Sequence, residues 1–212
     1  MNIKDIKKSI YQKRAEDPAV WALAGFRNEE IGKFFLRKYR SYYWRLEQEH
    51  LELASGDLLK KKRRFNHRDG DLHRYVLMFF GYAIENYLKG ILIKRGCSPI
   101  ETDAKSKLRL VASISNHKLV DYFNNVFSTT PDKIVEEALK NLQRAIESGK
   151  YGVPKYEDQY YSFTANFDQT IIIAKGLIKK IKKILSPNPT TPNPPPLKPQ
   201  KILILIAGLG VL

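Results

Sequence analysis

The chain has 212 residues, a formal charge of +15 and a sequence pI near 9.7. Hydrophobic residues are 43% and charged residues 28%, which supports one globular core and excludes an intrinsically disordered chain. The charge favours an acidic partner: RNA, an acidic protein or an anionic membrane surface. One cysteine, Cys97, excludes an internal disulfide and a cysteine zinc site, and points to a reducing, cytoplasmic compartment.

The opening MNIKDIKKSIYQKR is basic and amphipathic. It has no apolar core followed by a small-residue cleavage site, so it does not read as a secretory signal. Asp17-Pro18 is an N-cap followed by proline at a first helical position. Asn28-Glu29-Glu30 is expected to open a further helix, over about 28–54, because acids favour a first turn. There Ile31, Phe35, Tyr39, Tyr42, Leu46 and Leu53 fall near helical spacing, with Lys33, Arg37, Lys38, Arg40 and Arg45 largely elsewhere on the wheel.

After Gly56 comes the most basic run, Lys60, Lys61, Lys62, Arg63 and Arg64, on an expected loop. It is a candidate polyanion contact or a solvated charge run. Asp69-Gly70-Asp71 is a turn signal, with Asp71 as the cap of a helix over about 72–95 that Gly96 closes. Glu85 and Lys89 interrupt the apolar surface of that helix at i, i+4 spacing, acid first. They read as an ion pair on a partly exposed stripe, or as a polar seam that orients a partner helix. Gly81, Ala83 and Gly90 invite close helix approach.

Residues 107–127 carry a weaker helical pattern, broken near Ser115-Asn116. Thr130-Pro131 should open a helix with Ile134, Ala138, Leu142, Ala145 and Ile146 on one face, stopped by Gly149. A last helix is expected over about 166–185, ending in IKKIKKIL, and no independent strand is expected. The expected architecture is an all-α bundle of four to five helices over 1–185, then a Pro-rich linker over 186–200 and a short apolar tail over 201–212. Eleven apolar residues are too few to span a bilayer.

Two motifs carry a family resemblance. Ala83-Ile84-Glu85-Asn86-Tyr87-Leu88-Lys89-Gly90 resembles the A-x-E-x-x-L-K-(G/A) signature of HEPN-like helical domains. Asn116-His117-Lys118-Leu119-Val120-Asp121-Tyr122-Phe123 is similar to the H-(D/K/N)-L-x-x-L segment that follows it, with Phe123 one place off the usual apolar position. Gly149-Lys150-Tyr151-Gly152-Val153-Pro154 is similar to a segment of uncharacterised relatives. The resemblance implies a bundle of four or five helices, usually a homodimer, often from prokaryotic toxin–antitoxin or defence systems. Many such proteins are metal-independent ribonucleases whose R-x(4–6)-H motif supplies a phosphate-binding arginine and a proton-transferring histidine.

Two pairs have that spacing, Arg68 with His73 and Arg45 with His50. Both precede the A-x-E-x-x-L-K helix, whereas the family's motif lies in a later helix. His117 reads instead as a helix-start or interhelical hydrogen-bond residue. Four dispersed histidines without H-x-x-x-H or C-x-x-C point to no metal, and no phosphate-cradling glycine loop or other cofactor motif is present. The expected function is RNA engagement, with metal-independent ribonuclease chemistry as one form of it. The rival readings are a non-enzymatic module for an acidic protein and a membrane-associated protein using the basic last helix and the tail.

Overall fold

The computed structural model describes residues 2–54 (side chains through 48), 72–103, 107–149 and 166–185. Lys60–Arg64, Arg68, the side chain of His50, Lys150–Pro154, the Pro-rich linker and the apolar tail lie outside the described residues. Among those described there are seven helices and one small hairpin. Helix α1 is Ile3–Glu16, α2 Pro18–Ala54 and α3 Leu72–Lys94. Strands β1 (Ile100–Thr102) and β2 (Leu108–Leu110) follow. Then come α4 (Ala112–Ser115), α5 (Leu119–Phe127), α6 (Lys133–Gly149) and α7 (Phe167–Leu185).

Three local expectations change. Asp17 does cap a helix, accepting from the Ala19 amide at 2.8 Å. That helix runs straight through Asn28, so no element starts there. Glu29 and Glu30 are mid-helix acids paired with Lys33, not first-turn charges. The helix after Thr130-Pro131 begins at Lys133. Asp132 is its cap, its carboxylate accepting from the Val135 amide at 2.9 Å. Ile134 stays exposed, while Ala138, Leu142, Ala145 and Ile146 are buried.

The hairpin was not expected. Ile100 pairs with Leu110, Glu101 with Arg109 and Thr102 with Leu108, antiparallel. Arg109 Nε reaches Glu101 Oε1 at 2.8 Å across the pair. Three-residue strands are too short to show a period, and Pro99 just before them reads as a helix stop. Gly96 ends α3 with φ +91°. Its amide bonds Ile93 O and the next amide bonds Leu92 O, the double closure of a left-handed helix end.

Helix α3 is the axis of the core. Fifteen of its residues are buried, because α2, α5, α6 and α7 pack around it. It is long and apolar enough to cross a membrane by composition, and 83% of that window is buried inside the bundle. Helix α2 runs antiparallel to it, stacking Phe35 on Tyr75 and Phe79 near one end and placing Gly25 against Tyr87 further along. Helix α7 runs parallel to α3, from Phe167 beside His73 to Leu185, whose carbonyl accepts from Lys94 Nζ.

Small residues permit this packing. A Cβ on Gly25 would lie 2.7 Å from the Tyr87 ring, and one on Gly81 would lie 3.0 Å from the Leu142 carbonyl. At Gly176, on the outer side of α7, a Cβ would meet nothing within 4 Å. Two alanine variants should therefore move stability in opposite directions. By chemical denaturation, Gly25→Ala is expected to lose about 1–3 kcal/mol through overpacking. Gly176→Ala should gain about 0.5–1 kcal/mol from helix propensity alone.

Candidate nucleic-acid interface

A helix buried over most of its surface must neutralise the charges it points inward, since water reaches them poorly. Glu85 and Lys89 are only 3% and 4% exposed, so the partly exposed stripe expected from sequence is replaced by a buried seam. Glu85 Oε1 accepts from Lys89 Nζ, and Glu85 Oε2 lies 2.9 Å from His117 Nδ1. With the carboxylate as acceptor, Nδ1 is the donor in this contact. The Lys89 ammonium also sits between the rings of Trp21 and Tyr122, 5.5 and 5.3 Å from their centroids. Asn86 satisfies itself locally, donating to the Tyr82 carbonyl at 2.8 Å.

Sequence-distant residues therefore meet at one point. Trp21 comes from α2, Glu85 and Lys89 from α3, His117 from the approach to α5 and Tyr122 from α5 itself. Tyr122 donates to the Asn116 carbonyl at 2.7 Å, which holds the His117 turn against the helix that follows. Burial, with the Glu85 charge second, pushes the Tyr122 and Tyr82 phenols above their ordinary range.

A second polar node, which sequence reasoning took for helix-start acids, joins α2, α3 and α7. The Glu29 carboxylate receives Lys33 at 2.6 Å, Lys182 at 2.6 Å and the Tyr87 hydroxyl at 2.9 Å. Burial acts to raise the Glu29 pKa, but the Lys182 and Lys33 hydrogen bonds override it and hold it below the ordinary 4.5. The available signal was the i, i+4 spacing of Glu29 and Lys33; nothing local pointed to Tyr87 or Lys182.

The outer surfaces of α2 and α7 are mainly basic, with Glu47 and Asp168 the exposed acids among the described residues, towards the α2 C-terminus and the α7 start. Between Ile31 and Leu46 there are five cations and no acid. Lys33, Arg37, Arg40 and Trp44 follow i, i+4, i+7, i+11, one stripe of α2. Arg37, Lys38, Arg40 and Arg45 are exposed, as are Lys175, Lys179 and Lys183 on the neighbouring α7. The two rows are electrostatically in touch. Burial, then the charges of Arg40 and Lys33, push the Lys175 pKa below its ordinary 10.5. Trp44 is 62% exposed among these cations, with Tyr43 exposed beside it.

Of the residues singled out for catalysis, the described part of the chain brings no pair together. Arg45 Nε donates back to the Ser41 carbonyl of its own helix at 3.2 Å, and the His50 side chain lies outside the described residues. His73 sits in the first turn of α3, edge-on to Tyr39 and Phe167 at centroid distances of 6.5 and 6.4 Å. Its proposed companion Arg68 also lies outside the described residues. Among described residues, no cluster of three or more His, Cys, Asp or Glu could hold a metal ion.

Comparison of the chain with protein-family models, with curated proteins and with solved structures yields no match in any of the three.

Two substitution experiments probe the nodes. Lys89→Met leaves the Glu85 carboxylate buried without its cation and should cost about 3–5 kcal/mol, while Glu85→Leu/Lys89→Met should cost clearly less. Equal small losses in both would mean that the pair is exposed. For Glu29, a folded-state pKa below the unfolded value means its contribution is present above about 4.5 and drains away as pH falls through the folded value. Glu29→Gln should therefore lose about 1–3 kcal/mol at pH 7. Below about pH 4.5 it should show a shallower acid destabilisation than wild type.

Proposed function

We propose that this is a HEPN-like helical protein that engages RNA, and that it grips single-stranded RNA across α2 and α7. The observation that carries the reading is the acid-free cationic stripe of α2, set beside the lysine row of α7 and interleaved with exposed Trp44 and Tyr43. Single strands are bound by cations that follow the phosphates and by aromatic faces that stack bases, and this face offers both. An acidic protein would be met by the cations, but the exposed aromatics favour a base-bearing polymer. Glu29 lies beneath the face, and Lys33 and Lys182 close over it, so its charge is neutralised before it reaches the surface.

The resemblance of Ala83–Gly90 and Asn116–Phe123 to HEPN-like signatures supports the same reading. The residues that carry it meet in one contact that orders the bundle, with Glu85 and Lys89 buried and His117 half-buried at its edge. In this reading they are scaffold and the basic face is the working surface. The proposal is of RNA binding by a cytoplasmic protein, and it assigns no cleavage step.

Titration of fluorescent oligouridylate at several salt concentrations tests the face. Arg37→Gln/Arg40→Gln/Lys175→Gln/Lys179→Gln should flatten the salt slope by about 0.7 for each phosphate deprived of its cation. Trp44→Ala should weaken binding by about 1–3 kcal/mol and leave the slope unchanged. A wild-type slope in the quadruple variant would refute the assignment. If the slope instead fell on replacing Lys60–Arg64 with serine, the RNA would lie on that basic run.

A further inference from the structure

Helix α1 carries four of the large apolar side chains that are exposed in the described residues. Ile3, Ile6 and Ile10 are 69%, 37% and 51% exposed, and Tyr11 lies next to them. The three isoleucines follow i, i+3, i+7, so they form one stripe. This stripe has no role in the core. Helix α1 packs against α2 and both hairpin strands; Ala15 is its one buried residue, and the Ala15 carbonyl accepts from Trp21 Nε1 at 2.8 Å.

The charges around the stripe are ordered. On the helical wheel Lys7 and Arg14 fall along one flank and Lys13 along the other. Asp5 and Glu16 fall well away from it, and Glu16 is engaged by Gln12 at 3.1 Å. Apolar stripe, flanking cations and withdrawn acids are what a helix lying in a lipid interface requires. The isoleucines enter the acyl boundary while lysine and arginine stems reach the headgroups.

We infer that α1 is a docking helix for an anionic lipid surface, lying along it with Ile3, Ile6 and Ile10 buried and Lys7, Lys13 and Arg14 among acidic headgroups. The match of charge selects this occupant. RNA would satisfy the cations but has no use for an aliphatic stripe without aromatic stacking. The uncharged tail at 202–212 could cover the isoleucines but offers nothing to the flanking cations. The site is separate from the α2–α7 face, so the inference stands or falls independently of RNA binding.

The test is flotation of the full-length, nuclease-treated protein with vesicles of phosphatidylcholine, with or without phosphatidylserine. Wild type should float with the phosphatidylserine vesicles and far less with phosphatidylcholine alone. Ile3→Asn/Ile6→Asn/Ile10→Asn should lower the partition coefficient more than tenfold with an unchanged melting temperature, since none of the three packs in the core. Lys7→Gln/Lys13→Gln/Arg14→Gln should lower it by about fivefold per cation. Ile202→Asn/Ile204→Asn/Ile206→Asn, in the tail, should float like wild type. The inference is overturned if wild type does not float, if the α1 isoleucine variant floats like wild type, or if only the tail variant fails to float. Failure to float with full binding to an acidic protein column would assign the helix to a protein partner instead.

Discussion

Everything in this bundle is arranged around a helix that is buried over most of its surface. With α2, α5, α6 and α7 around it, α3 has to answer its charges internally, and the Glu85–Lys89–His117 cluster does so. The carboxylate is divided between a cation on its own helix and an imidazole from the approach to α5. One buried charge thereby fixes the position of a neighbouring element, because a misplaced His117 would leave an acceptor unsatisfied. A buried pair of this kind adds little net stability beside an apolar alternative, and in this fold its use is to set register. Glu29 does the same for α2, α3 and α7, with Tyr87 as the α3 donor.

The outer surface follows from this interior. Because α2 and α7 both lie on α3 and are tied through Glu29, their outward faces are neighbours. Two cation rows that are far apart in the chain become one surface. Bringing like charges together is unfavourable; the Lys175 pKa is lowered first by burial and then by the charges of Arg40 and Lys33. A polyanion relieves it. A conformationally set face of this kind also spends less ordering on binding than a loop of the same charge would.

The parts of the fold written in local chemistry were legible. The apolar run of α3, its Gly96 stop, the Asp17-Pro18 start and the extent of α7 all follow from periodicity and capping. The fused α2 was harder, since Asn28-Glu29-Glu30 imitates a helix start and only the third dimension shows Glu29 answering Lys182 and Tyr87. The hairpin at Ile100–Leu110 is too short to leave a period. The spacing of Glu85 and Lys89 gave the pair but not its burial, which depends on Trp21 and Tyr122 arriving from other elements. The cations of α2 were visible one by one; their union with Lys175 and Lys179 is a property of packing and had no sequence signal.

The central claim is that RNA lies across α2 and α7. An amide NMR titration of the full-length protein with oligouridylate tests it most directly, since every segment reports at once. The account predicts that the largest shifts map to residues 37–45 and 175–183, with the indole signal of Trp44 moving alongside. Shifts confined to residues 60–64 or to α1, with the α2 and α7 signals unmoved at saturation, would contradict it.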